Sequence, residues 1–247
     1  MTSILAIETS TPACSVALIV GDAKFSRYSE EPRSHTRLIM GMIDEVLTEA
    51  GTTVDQLDAI AVTVGPGSFT GLRIGFSTVQ GLAFGANIPV IPVSTLKVLA
   101  QTYKRKQSEG MDLPCKVMAV LDARMGEFNC GAYELNASGQ FIAGIKDQLL
   151  SKSDALALYQ DLNPSIIVGE AGALFDFSDM DSSHMDSSDR CDIESLTLVD
   201  IYPDALDLLD IALEDFTQGG AVPIDQVDLV YLRGTDAWKK HTPIRPN

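Results

Sequence analysis

The sequence predicts an α/β fold made of two related lobes. Short apolar segments alternate with segments whose apolar residues recur at helical spacing, which is typical of α/β proteins. An apolar strand that ends in a carboxylate occurs twice, at residues 4–8 and 117–122, and each copy precedes a small-residue turn and a strand with a cysteine. The polar stretch 101–114 separates the copies. We therefore predict lobes at 1–103 and 104–247, each opening with a β-meander followed by helices.

The elements of the first lobe follow from local patterns. Strands at 4–7, 14–20 and 24–29 form the meander, because turn residues separate them and Gly21-Asp22 is a hairpin signal. Apolar residues at helical spacing predict a helix at 38–50, which Gly51 ends. The remaining elements are, in order, a strand at 59–64, a helix at 68–85 and a strand at 88–93.

The second lobe contains most of the negative charge. Residues 176–215 hold 13 acidic side chains and one basic side chain. We interpret 176–194 as a solvated loop. A calcium loop is the alternative, but His184 stands where such a loop needs glycine and Arg190 where it needs glutamate. A helix is predicted near 203–216, with Pro203 at its first turn, and we expect it to pack back on the first lobe.

Composition excludes several classes of function. The 247 residues are 45% hydrophobic, so the chain can bury a core, and 18 basic against 34 acidic residues give a net charge of −16. So acidic a chain is a poor nucleic-acid binder by itself. The four cysteines form no CxxC pair, which indicates reduced thiols and a cytoplasmic protein. Glycines and prolines interrupt the uncharged stretch 74–96, so we predict no membrane segment.

The segment Gly65-Pro-Gly-Ser-Phe-Thr-Gly-Leu-Arg-Ile-Gly75 is the most unusual part of the sequence. It lacks the lysine of a P-loop, the third glycine of a dinucleotide fingerprint and the first glycine of a nucleophile elbow. Its backbone amides could hold an anion at the helix N-terminus. We favour the other interpretation, which is a tight turn from a strand into a helix.

Glycines spaced by four residues inside the second helix predict a close approach of another backbone. Each helical glycine costs about 0.5–1 kcal/mol relative to alanine, so a run of them should have a compensating cause. We hypothesise that the first two helices form a subunit interface, and packing wholly within the monomer is the alternative. The predicted interface residues are Leu38, Ile39, Met42, Gly71, Leu72, Gly75, Phe76 and Val79.

The turn after the first strand is the other candidate site. Glu8, Thr9, Ser10 and Thr11 end a strand where α/β folds place ligands, and they could face magnesium and phosphate. An ordinary turn is the alternative. Elsewhere no metal is predicted, because Ile39 stands four residues after His35, and no spacing predicts catalytic residues.

Several motifs resemble those of the TsaB family, also called YeaZ. The dense part covers residues 3–101 and includes ILAIETSTPACSVAL and VGPGSFTGLRIG, and YLRG occurs late in the chain. The resemblance implies an actin-like ATPase fold of two ribonuclease-H-like lobes, with Glu8–Thr11 as a vestigial nucleotide loop. The family often has Asp where this chain has Glu8, which weakens any inference about bound magnesium-nucleotide.

The resemblance also implies a function. It predicts a non-catalytic, activating subunit of tRNA threonylcarbamoyladenosine synthesis that binds TsaD, the catalytic sister protein, with the ATPase TsaE as third partner. TsaD has an HxxxH motif, of which only His35 is present here. A homodimer is expected when TsaD is absent, contact with tRNA only through the complex, and ATP or ADP only within it. The competing hypothesis is a stand-alone actin-fold ATPase or glycoprotease-like hydrolase.

Overall fold

The first lobe is a mixed five-stranded sheet in the order β3-β2-β1-β4-β5. The structure, a computed structural model, describes residues 2–107, 113–175 and 197–233. The predicted acidic loop at 176–194 lies outside these residues for all its length. The strands of this sheet are β1 (Ser3–Glu8), β2 (Cys14–Val20), β3 (Ala23–Ser29), β4 (Ala59–Gly65) and β5 (Val90–Ser94). β1 and β2 are antiparallel, whereas β1, β4 and β5 run parallel.

Helices cover both faces of this sheet. Helices α1 (His35–Ala50) and α2 (Phe69–Ala86) pack on one face in a single apolar cluster. Helices α3 (Thr95–Lys106) and α6 (Ala205–Thr217) contribute to the cluster on the other face. The sheet strands are therefore apolar on both sides, which is why they appear in the sequence as continuous apolar runs.

The second lobe repeats this topology. Its sheet has the order β10-β9-β6-β7-β8, which from the other edge repeats the order of the first sheet. Its elements are β6 (Cys115–Arg124), β7 (Glu127–Leu135), β8 (Phe141–Ser151), α4 (Lys152–Leu162), β9 (Ile166–Gly169), α5 (Ala171–Leu174) and β10 (Thr197–Val199). Both lobes thus have a β-meander, a helix, a strand, a helix and a strand. The predicted fold class of two related α/β lobes is confirmed.

Polar contacts hold both ends of α3, which packs in an apolar cluster of each lobe. The Arg105 side chain donates to Asp207 Oδ1 at 2.8 Å and to Asp204 Oδ2 at 2.7 Å, which ties α3 to the start of α6. At the other end of α3, Ser94 Oγ donates to Asp147 Oδ2 on β8 at 2.6 Å, a contact between the lobes. After α6 the chain stays on the first sheet, where the Val230 amide donates to Val64 O at 2.8 Å.

No helix in the described ranges has the length and apolar character needed to cross a membrane. The uncharged stretch near residue 80 is therefore α2 followed by β5. Exposed polar residues and glycines interrupt the apolar surface on the outer side of α2.

Candidate functional site

The turn that follows β1 is closed. Glu8, Thr9, Ser10 and Thr11 are all buried, with exposed fractions between 0% and 4%. Glu8 Oε1 accepts hydrogen bonds from the Ser10 amide at 2.6 Å and from Ser10 Oγ at 2.5 Å. The Thr9 hydroxyl donates to Gly71 O at 2.8 Å. The structure therefore brings the four predicted residues together, but inside the lobe.

The Glu8 carboxyl is poorly solvated. Its second oxygen, Oε2, is buried without a hydrogen-bond partner, and so is the hydroxyl of Thr63 on the neighbouring strand β4. Burial is the main cause that raises the Glu8 pKa to about 7, and the hydrogen bonds from Ser10, together with the nearby Thr63 hydroxyl, partly oppose it. The neutral form of this carboxyl is therefore favoured far more than it is in an exposed glutamate.

The glycine line of α2 surrounds this turn. A Cβ atom at Gly67 would lie 2.4 Å from Ser10 O, and one at Gly71 would lie 2.1 Å from Thr9 O. At Gly75 the distance to Thr9 Oγ1 would be 2.3 Å. Distances this short exclude any side chain. The segment is a tight turn from β4 into α2, and the backbone that approaches its glycines belongs to the same chain. The predicted nucleotide loop Glu8–Thr11 is buried beneath this turn.

This packing places most of the predicted interface residues inside the lobe. Six of the eight residues are buried in the monomer. They are Ile39, Met42, Gly71, Leu72, Gly75 and Val79. Leu38 and Phe76 are half-buried against the same core. The spacing indicated a close approach correctly, but it did not indicate which backbone approaches.

A different set of residues faces outward on α1 and α2. Met40 is 54% exposed and Phe84 is 83% exposed. Added Cβ atoms at Gly41, Gly81 and Gly85 would meet no atom within 4 Å. No contact within the described part of the chain explains why these three helical positions are glycine. We call these five residues the outer helical face.

His35 has a structural role at the start of α1. Its Nε2 lies 2.9 Å from Thr11 O and 3.1 Å from Ala13 O. Carbonyl oxygens only accept hydrogen bonds, so Nε2 carries the proton. The ring thereby holds the turn after Glu8 in place. Among the described residues, no group of three or more His, Cys, Asp or Glu side chains could hold a metal ion.

A cavity of about 250 Å³ lies at the end of β9 in the second lobe. Glu170 and Asp200 line it together with Tyr202 and backbone at Gly169 and Gly172. The Asp122 amide donates to Glu170 Oε2 at 2.7 Å. Burial raises the Glu170 pKa. The two charged residues of its lining are both acidic, which disfavours the binding of phosphates.

Known proteins match the chain over nearly all of its length. TsaB of Escherichia coli K12 is 36% identical over 241 residues, which cover 96% of this chain and 97% of that protein. TsaB of Haemophilus influenzae is 36% identical over 246 residues, with 96% of each chain covered. The chain belongs to the TsaB family. Membership assigns it a role in tRNA threonylcarbamoyladenosine biosynthesis.

Solved structures and a family model agree with this membership. The TsaB-family fold here matches YeaZ from Pseudomonas aeruginosa with a TM-score of 0.74 and 31% identity, covering 94% of this chain and all of that one. The model of TsaD, the tRNA N6-adenosine threonylcarbamoyltransferase, matches residues 29–182. The predicted family and the actin-like, ribonuclease-H-like fold are therefore confirmed.

Sequence reasoning missed one cluster near α2. Phe69, Arg73 and Tyr231 contact one another across 158 residues of sequence. The only signal for it was the late YLRG motif, which contributed to the family resemblance but gave no position in space.

Proposed function

We propose that the chain is a non-catalytic, activating subunit that binds TsaD and supports transfer of threonylcarbamoyl from its adenylate to the adenosine beside the anticodon. The outer helical face carries this proposal. Its three glycines each cost stability in a helix, and no contact within the described chain compensates for that cost. Contact with the backbone of another helix would compensate for this cost, because missing side chains let two backbones approach closely.

The aromatic and thioether side chains on this face support the same proposal. Phe84 and Met40 are large exposed apolar groups of kinds enriched at protein interfaces, and each directly precedes one of these glycines in the sequence. They would fill the grooves of a partner helix while the glycines admit its backbone. A homodimer would use the same face when TsaD is absent, so the two assemblies would compete.

The closed turn at Glu8 supports a subunit without its own chemistry. The carboxylate that begins the predicted nucleotide loop points into buried hydrogen bonds with Ser10, and α2 packs directly on the loop. His35 donates to backbone carbonyls at a place where a catalytic relative would need a free imidazole. We propose that ATP or ADP is held only within the complex that includes TsaE, and that tRNA reaches this chain only there.

Mixing with TsaD tests the proposal. The chain would be combined with TsaD from the same genome, and the mass of the product measured by light scattering. Gly81→Leu would block the outer helical face without a clash in the monomer, because nothing lies within 4 Å of that position. Ala157→Leu, on the exposed side of α4, is the matched control. We expect wild type and control to form a heterocomplex, and Gly81→Leu to stay separate.

Activity provides the second readout. Formation of threonylcarbamoyladenosine by TsaD and TsaE should require the chain and should fall with Gly81→Leu in parallel with binding. Wild type that stays separate from TsaD, with or without TsaE and ATP, would refute the proposal. Turnover of ATP or peptide by the pure chain, lost in Glu8→Ala, would instead support the stand-alone enzyme.

A further inference from the structure

Phe69, Arg73 and Tyr231 form an exposed stack at the N-terminal end of α2. The Arg73 guanidinium lies 3.7 Å from the centroid of the Phe69 ring, and the Phe69 and Tyr231 centroids are 5.5 Å apart. Arg73 Nε also donates to the Tyr231 hydroxyl at 3.1 Å. Phe69 remains 52% exposed and Tyr231 remains 43% exposed. Planar groups are thus held in fixed positions at the surface.

Arg73 differs from most of the cations in the described ranges. Lys24, Arg27 and Arg105 each contact one or two carboxylates, whereas no carboxylate in the described ranges lies within 4.0 Å of Arg73. In a chain with a net charge of −16, this guanidinium is held by two aromatic rings and remains available to an anion.

The hairpin between β6 and β7 is tied to the segment that carries Tyr231. Arg233, two residues after Tyr231, donates to the carbonyls of Ala123 and Arg124 at 3.1 Å and forms an ion pair with Glu127. At the hairpin tip the Met125 residue is 84% exposed. The Arg124 side chain is 81% exposed, but its guanidinium pairs with Asp122 Oδ2 at 2.9 Å. Both have left-handed backbones, with φ of 61° and 68°. The carbonyl contacts from Arg233 help to fix this uncommon conformation.

We propose that Phe69, Arg73 and Tyr231, with the exposed Met125 of the hairpin, form a contact surface for an unpaired loop of the tRNA, and we call these residues the aromatic–arginine patch. Unstacked bases bind to aromatic rings and guanidinium planes, and their phosphates pair with arginine. The rest of the acidic chain repels the phosphate backbone, which would confine RNA contact to this patch. The proposal rests on the proposed function, since the complex would bring the tRNA to the chain.

The patch is separate from the α2 part of the outer helical face, which comprises Gly81, Phe84 and Gly85. Phe69 and Gly81 are twelve residues apart on one helix, which corresponds to about 18 Å along its axis. TsaD seated on the glycines would therefore leave the Phe69 end of α2 accessible. Changes to the patch should weaken RNA binding and leave assembly intact, which separates the two proposals experimentally.

Titration of the assembled complex with tRNA tests the patch. Wild type, Phe69→Ala, Arg73→Ala and Arg73→Lys would each be assembled with TsaD and TsaE, with the mass checked before titration at several salt concentrations. Arg27→Ala, which removes an arginine paired with Glu45 and Glu49, is the control for net charge. We expect Phe69→Ala and Arg73→Ala to raise the Kd on the order of tenfold, as loss of one stacked base would. Arg73→Lys should restore only part of the affinity, since it keeps the charge and loses the plane.

Each outcome of these titrations either supports or overturns the RNA surface. Assembled variants that bind tRNA as tightly as wild type would overturn the RNA surface and leave the proposed function intact. Variants that lose TsaD or TsaE would show that the patch is a protein interface, which also overturns it. If wild type fails to assemble, the proposed function fails. Photo-crosslinking of tRNA to the assembled wild-type complex adds a positional readout, and the absence of crosslinks at Phe69 and Tyr231 would overturn the patch.

Discussion

Replacing Glu8 with glutamine should stabilise the protein at alkaline pH and leave it nearly unchanged at acidic pH. The carboxyl is buried, its Oε2 atom has no partner, and burial raises its pKa from 4.5 to about 7. In Glu8→Gln the amide oxygen can still accept from Ser10. The amide nitrogen, in the place of Oε2, can donate to the unpartnered Thr63 hydroxyl. The variant keeps the hydrogen bonds and removes the charge.

The direction of the pKa shift determines how the stability changes with pH. Below pH 4.5 Glu8 is protonated in both the folded and the unfolded chain, so it costs nothing. Between about pH 4.5 and 7 the unfolded chain releases the proton first, so stability falls as pH rises. Above pH 7 both states are ionised and the loss is complete. A rise in the pKa of Glu8 from 4.5 to about 7 corresponds to roughly 3 kcal/mol of unfolding free energy. For a chain of this size, that is about 6–12 °C in Tm.

Thermal unfolding between pH 5 and pH 8.5 measures this difference. Asp147, Glu170 and Asp207 also have pKa values raised by burial, but they contribute equally to both proteins and cancel in the comparison. Glu134→Gln, at an exposed position on β7, should show no such pH-dependent gain. If Glu8→Gln unfolds earlier than wild type at pH 8, or if its advantage does not change with pH, the account of the buried carboxyl is wrong.

Two further predictions concern packing and buried charge. Gly71→Ala should lower the free energy of unfolding by about 1–3 kcal/mol because its Cβ would overlap Thr9 O. Gly81→Ala should raise the free energy of unfolding by about 0.5–1 kcal/mol because that position is open. Urea unfolding measures both changes, and equal effects would contradict the difference in packing between the two positions. Arg105→Ala should destabilise by about 2 kcal/mol, a value reduced for the partial exposure of the arginine, because it leaves the Asp207 carboxylate buried without its cation. Arg105→Ala with Asp207→Asn should recover part of that loss, and a double variant no more stable than the single would contradict the pairing.

The fold was largely predictable because local signals and periodicity agreed along the chain. The echo between 4–8 and 117–122 predicted two related lobes, and the sheets indeed have the same strand order. The arrangement around Glu8 was harder to predict from the sequence. The apolar run before it indicated a buried strand, but nothing local showed that the carboxyl end would also be buried, since α2 closes over it from 60 residues away. The contacts of Tyr231 and Arg233 are equally non-local and have no periodic signature.

The glycines of α2 illustrate how one sequence pattern can have two causes. Successive helical residues turn by about 100°, so Gly71 and Gly75 differ by only about 40° around the axis, whereas Gly81 lies about 240° from Gly75. The helix therefore carries two separate glycine faces. Thr9 and Ser10 account for the inner face completely, because each Cβ would overlap their atoms. Nothing in the described chain accounts for Gly81 and Gly85, and only the outer pair therefore argues for a partner that lies outside this chain.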